Sequence, residues 1–147
     1  MKNKTCFFIG NRHTPSSIKQ QLIDVVERHI TEYGVTTFIV GHYGAFDFLV
    51  QNVLKELKKK YYNIKLYLLT PYAFNQLKEV PESFDGNYYP EGLETVPRPF
   101  AIAQANRLLL KYSDYLIAYS HHIGNTQKFI NYAQKREKKG MIKITQL

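Results

Sequence analysis

Four short stretches collect the residues best suited to hold an anion. They are Gly10-Asn11-Arg12-His13, Gly41-His42-Tyr43-Gly44-Ala45-Phe46-Asp47, Thr70-Pro71-Tyr72, and Ser120-His121-His122-Ile123-Gly124-Asn125-Thr126. Three of them contain glycine, which lets the backbone come close to a ligand. Where such a stretch opens a helix, free N–H groups and a partial positive charge point outward and suit a phosphate. Arg12 and Lys128 bring cationic side chains, and Asn106-Arg107 brings an amide and a second guanidinium. Each feature also has a plainer reading. Gly10 and Gly41 serve any strand-to-helix turn, and Arg12 serves a surface ion pair equally well. Asp47 either complements the first turn of a helix or accepts a hydrogen bond from a sugar hydroxyl.

Other chemistries find less support. His13, His42, His121 and His122 fall in these same stretches, but adjacent histidines rarely ligate one metal together. No Asp, Glu or Cys partner stands at ligand spacing, so the expectation is no metal and no resident cofactor. The one cysteine, Cys6, lies inside an apolar run, where a buried thiol is inert. Ser120 and His121 are neighbours in sequence, which does not give the geometry of a nucleophile and its base. Most of the twelve tyrosines serve to pack a core or a subunit interface. Tyr43, Tyr72, Tyr88 and Tyr89 fall in loops from which they can stack on a ring.

The elements that must position these residues follow from the hydrophobic pattern. Short apolar runs at 5–9, 35–40, 64–69, 114–119 and 141–144 read as buried strands. Helical stripes alternate with them: Ile18, Leu22, Val25, Val26, His29, Ile30 and Tyr33; then Phe46 to Leu57; then Ala101 to Tyr112; then Phe129 to Ala133. Thr14-Pro15 reads as an N-cap followed by proline at the first helical position, and Gly34 reads as a helix stop. The segment from Tyr72 to Pro97 reads as a long irregular loop. Strands alternating with helices predict an α/β fold: a Rossmann-like, doubly wound parallel sheet of about five strands with helices on both faces. In such sheets ligands sit at the carboxyl ends of the strands near the switch in strand order, which is where chain position puts the four stretches.

The chain of 147 residues suits one domain over residues 1–147. Its 44% hydrophobic and 22% charged residues argue against disorder. No run approaches the roughly 20 apolar residues that span a bilayer, and the apolar stretch near the amino terminus is too short for a signal peptide. A cytoplasmic protein without a membrane partner is the expectation. The formal charge of +8 favours anionic partners. Much of it lies in Lys55, Lys58, Lys59 and Lys60 and in Lys135, Arg136, Lys138 and Lys139, where cations complement helix C-termini. A nucleic-acid partner is not favoured, for no arginine-rich tail, zinc pattern or basic–heptad segment is present.

The ordered motifs resemble a known family. Phe7-Phe8-Ile9-Gly10-Asn11-Arg12 resembles the F-x-G-H-R opening of YpsA-like proteins of the SLOG superfamily, which also includes the LOG enzymes and DprA. Gly41 to Asp47 resembles its G-x-x-x-G-x-D motif. Tyr89-Pro90-Glu91-Gly92-Leu93-Glu94, and Asn106-Arg107 followed by Ser113 to Tyr119, are further matches. Gly124-Asn125-Thr126 is similar to a degraded G-G-x-x-T loop. The set spans nearly the whole chain in the family's order.

The resemblance implies a Rossmann-like fold and a ligand of nucleotide type, such as an ADP-ribose-like or cyclic nucleotide signal. The Gly124–Thr126 loop would hold phosphate, and the Gly41–Asp47 loop would meet ribose or phosphate. It also implies a homo-oligomer and a setting in nucleotide signalling, including phage defence. LOG enzymes use an arginine and a glutamate that here fall at Ala105 and Lys128. Lysine cannot accept a hydrogen bond as a carboxylate does, so LOG-type hydrolysis is not expected. The leading expectation is a protein that senses, carries or sequesters a nucleotide derivative. The alternatives are a hydrolase of N-glycosidic or phosphate bonds, with Asp47, Glu91 or Glu94 as its carboxylate, and a DNA-binding module.

Overall fold

Alternation along the first strand sets the two faces of the sheet. Strand β1 (Lys4–Gly10) sends Cys6 and Phe8 into one apolar layer and Phe7 and Ile9 into the other. A strand buried on both faces needs helices above and below it, and the chain supplies two on each side. The computed structural model describes residues 3–71, 80–121 and 124–147.

After β1 come α1 (Lys19–Thr31), β2 (Val35–Val40), α2 (Ala45–Lys60) and β3 (Lys65–Leu69). A short β4 (Gly86–Tyr88) leads to α3 (Ala101–Tyr112), β5 (Tyr115–Tyr119), α4 (Asn125–Glu137) and β6 (Lys143–Gln146). The strands form one sheet in the order β4-β3-β2-β1-β5-β6, and every pairing is parallel. Leu22, Val25 and Val26 of α1 and Val50, Val53 and Leu54 of α2 pack with Phe8, Phe38 and Leu66. Ala105, Leu109 and Leu110 of α3 and Ile130 and Ala133 of α4 pack with Phe7, Ile39 and Leu116. This is the expected Rossmann-like α/β architecture.

Three expectations need correction. The sheet has six strands rather than about five, because the segment taken as an irregular loop contains β4. Gly86-Asn87-Tyr88 is too short and too polar to announce a strand, and it exists by pairing with Tyr67 to Leu69. Thr14 does not cap a helix: its hydroxyl donates to the Asn11 carbonyl at 2.6 Å, and α1 begins at Lys19 after a 3-10 turn over Ser16–Ile18. The last strand lies at 143–146 rather than 141–144, since Gly140 takes a left-handed φ of 72° and the chain needs two more residues to reach β5. Gly34 does end α1's turn as expected, with φ 71°.

From β1 the chain builds outward through β2, β3 and β4, then crosses by α3 to the other side of β1 to form β5 and β6. The order therefore reverses between β1 and β5, whose last residues, Gly10 and Tyr119, lie in register. A crevice forms at such a reversal because the two flanking loops leave in opposite directions. At the far end Asp114 ties the same two strands, its carboxylate accepting the Thr5 N–H at 2.9 Å.

Candidate functional site

The loops at the carboxyl end of β1 and its neighbours are fastened to one another before any ligand arrives. Asn11 donates its backbone N–H to the Tyr119 carbonyl at 3.1 Å, and its side-chain oxygen accepts the His121 N–H at 3.0 Å. It thereby bridges β1 and β5 across the reversal. Arg12 accepts the Ala45 N–H at 2.9 Å, joining the first loop to the start of α2. Gly44 makes this approach feasible: a Cβ there would lie 2.8 Å from the Arg12 Cα. Gln51 of α2 donates to the Gly41 carbonyl at 2.9 Å.

Between these loops and the opposite helices lies a cleft of about 750 Å³. Gly10, Arg12, Gly41, Tyr43, Gly44 and Asp47 line one side, and Asn106, Arg107, Asn125, Thr126 and Lys128 line the other. Its floor is the end of β1, with Leu69 beside it. Such a volume accommodates a ligand of metabolite size.

The other expected residues that the structure describes stand off this wall. Asn11 and Ala45 are spent on the loop ties just described. Thr70 is buried and holds β4, its hydroxyl donating to Asn87 at 2.6 Å and its N–H to the Tyr88 carbonyl at 2.9 Å. The His121 ring lies against Tyr119, centroids 4.5 Å apart. His13 and Gly124 are exposed, and Ser120 is half-buried, none of them on the cleft wall. Tyr72 and His122 lie outside the described residues. The sequence reading missed Pro99, Ile102, Ala103, Phe129 and Tyr132, which also line the cleft. Ile102, Phe129 and Tyr132 sit on helical stripes that read simply as core, Pro99 reads as a helix start, and Ala103 carries no signal; only the proximity of Phe129 to Lys128 and Thr126 hinted otherwise.

The electrostatics of the cleft are lopsided. Arg12, Arg107 and Lys128 bring three cations, and none makes an ion pair or side-chain hydrogen bond with the described residues. Asp47 is the sole carboxylate on the wall among the described residues. It retains some exposure through the cleft, but the surrounding protein strips water from its carboxyl and pushes its pKa up to about 6, against the opposing hydrogen bond from the Tyr43 N–H at 3.0 Å. Asp47 also stands over Gly41, where a Cβ would lie 2.9 Å from its Oδ2. Both readings of Asp47 therefore retain a place: it organises the start of α2, and it presents a carboxyl to the cleft.

The start of α4 is open. Gly124 makes no side-chain cap and the first turn, whose Asn125 and Thr126 line the cleft, contains no acidic residue to compete for its free N–H groups. Ala105 is fully buried, whereas Lys128 lines the cleft. Glu91 and Glu94 are exposed and off the wall, which leaves Asp47 alone among the three carboxylates considered.

Cys6 is fully buried, and burial pushes its thiol well above the usual range, which makes it an unreactive core residue. Among the described residues no cluster of His, Cys, Asp and Glu could hold a metal ion, and no helix is long and apolar enough to cross a membrane. No family model matches the chain, and no curated protein matches it.

Proposed function

We propose that this chain is a YpsA-like SLOG protein whose cleft binds a phosphate-bearing nucleotide or a nucleotide-derived signal, as a sensor, carrier or sequestering protein. The observation that carries the reading is the set of Arg12, Arg107 and Lys128, cations without a counter-ion among the described residues, around one cleft at the switch in strand order. Cations left unpaired in a concave site attract a polyanion and gain most when it displaces water from them. The uncapped start of α4 adds N–H donors on the same wall. The Gly41–Asp47 loop then faces the sugar, with Asp47 placed to accept from a hydroxyl.

The burial of Asp47 lends weight to a second reading, in which the cleft processes its nucleotide. A carboxyl titrating near 6 is poised to exchange a proton at neutral pH. Purified protein should be screened by thermal shift against nucleotides, cyclic nucleotides, NAD and ADP-ribose derivatives, with mass spectrometry of each recovered ligand. A ligand at 100 times its Kd adds about 2.7 kcal/mol of stability. A shift with intact ligand supports binding, and a shift with cleaved ligand supports the second reading. Absence of any shift removes both and moves weight to a polymer partner. Sedimentation of the same sample tests the proposed homo-oligomer.

A further inference from the structure

The cleft has a second chemical character beside its charge. On α4, Phe129 and Tyr132 are three residues apart and so share a helix face. Each is half-buried, packed on one side against the core beneath α3 and α4 and open on the other to the cleft. Across from them α3 contributes Ile102 and Ala103. The two helices therefore form the walls of an apolar slot that continues into the site of Arg107 and Lys128.

Several other rings of the molecule are already covered by a neighbouring ring or cation. Tyr33 and Tyr115 stack on one another, centroids 5.4 Å apart, with His29 at their edge and Lys143 4.1 Å above Tyr33. Tyr119 is stacked by Phe46 and His121, and Tyr43 lies on His42. Phe129 and Tyr132 have neither a ring nor a cation against them among the described residues, and the Tyr132 hydroxyl has no hydrogen bond there. An open aromatic face beside unpaired cations is matched by a ligand that joins a flat ring to an anion.

We infer that Phe129 and Tyr132 form the seat of an unsaturated ring, the base of the bound nucleotide, while its phosphates lie on Arg107 and Lys128. The cleft then selects ring-bearing phosphate esters over bare phosphates. This rests on the anion site proposed above and goes beyond it by assigning the α3–α4 slot to the base.

The test is isothermal titration of the full chain with two probes of similar charge, ADP and inorganic pyrophosphate. The parent protein should bind ADP about tenfold more tightly, the size of one base stacking on an aromatic. Phe129→Leu and Tyr132→Leu retain apolar bulk and lose the ring. Each should remove most of the advantage of ADP while leaving pyrophosphate affinity within about twofold. Tyr132→Phe keeps the stacking face and should keep the advantage. Thermal unfolding of each variant verifies that it is folded. Equal affinity of the parent for both probes overturns the seat but leaves the anion site standing. So does an equal loss for both probes in the leucine variants, which would mark the rings as structural. Binding of neither probe overturns the anion site and the seat together.

Discussion

The ring of Phe46 lies directly over Gly10, so close that a Cβ at residue 10 would overlap the ring carbons. Phe46 is fully buried at the start of α2 and stacks on Tyr119 of β5. The ring cannot retreat without disturbing the layer between sheet and helix. Gly10→Ala should therefore destabilise the protein by about 3 kcal/mol, the upper range for overpacking. Gly124→Ala is the control: among the described residues nothing lies within 4 Å of a Cβ there, and its effect should stay within about 0.5 kcal/mol. Urea denaturation of the two variants beside the parent measures both, and equal effects would refute the steric role of Gly10.

Asp47 should make the protein less stable at neutral than at acid pH. Its carboxyl holds a proton more tightly when folded, since burial raises the pKa from 3.8 to about 6. Between those values the folded state carries the extra proton, so this contribution to stability falls as pH rises and stays low above about 6. Asp47→Asn retains an acceptor for the Tyr43 N–H and removes the charge. It should stabilise the protein at pH 7.5 by up to about 3 kcal/mol, at 1.36 kcal/mol per pKa unit, and by much less at pH 4. Denaturation at the two pH values tests the sign. A variant less stable than the parent at pH 7.5 would show that the carboxylate's hydrogen bond outweighs its desolvation.

These two residues also show how far the sequence could be read. Gly10 stood out as a loop glycine near a strand end, and its position was correct. The reason it must be glycine, the Phe46 ring, comes from a residue 36 positions away and is invisible to any local pattern. The strands buried on both faces and the four helical stripes were legible because a period of two or of 3.6 is a local signal. β4 was not, because three residues with one glycine acquire strand geometry only from the edge of β3. At the site, charged residues were legible as loop and helix-start features. Asn11, Thr70 and His121 carry the same polar signature but are consumed in ties between strands and loops. Phe129 and Tyr132 were hidden for the opposite reason, since a stripe residue facing a cleft reads like one facing the core.

His29 should oppose Asp47 on the acid side. It is fully buried, with Nδ1 2.7 Å from the Val25 carbonyl and its ring edge-on to Tyr33 and Tyr115. Burial lowers its pKa, and Lys143 and Arg28 act in the same direction against the opposing Val25 hydrogen bond. The charged form is therefore favoured in the unfolded chain. Its contribution to stability is full above the unfolded pKa near 6.5 and is lost as pH falls below that value. His29→Gln removes the titration. Relative to the parent, its loss of stability between pH 7 and pH 5 should be smaller. A pair of parallel profiles would mean that His29 titrates alike in the folded and the unfolded chain, and would refute the lowered pKa.

Arg107 separates the small-molecule reading from a polymer one. It is exposed on α3, lines the cleft and has no partner among the described residues, so Arg107→Ala should leave stability within about 0.5 kcal/mol. Losing one charge-assisted hydrogen bond to phosphate costs about 1.5–3 kcal/mol, so pyrophosphate affinity should fall by roughly ten- to a hundredfold. Lys128→Ala acts on the same wall and should weaken the same ligand. A short polyphosphate occupying one cleft releases few counter-ions, which gives a shallow dependence on salt. A nucleic acid spread over the lysines of α2 and α4 would give a slope that steepens with the number of phosphates neutralised. Measuring pyrophosphate and a single-stranded oligonucleotide from low to moderate salt distinguishes the two. If oligonucleotide binding survives Arg107→Ala unchanged while pyrophosphate does not bind the parent, the cleft is not the anion site and the basic helix ends carry the interaction.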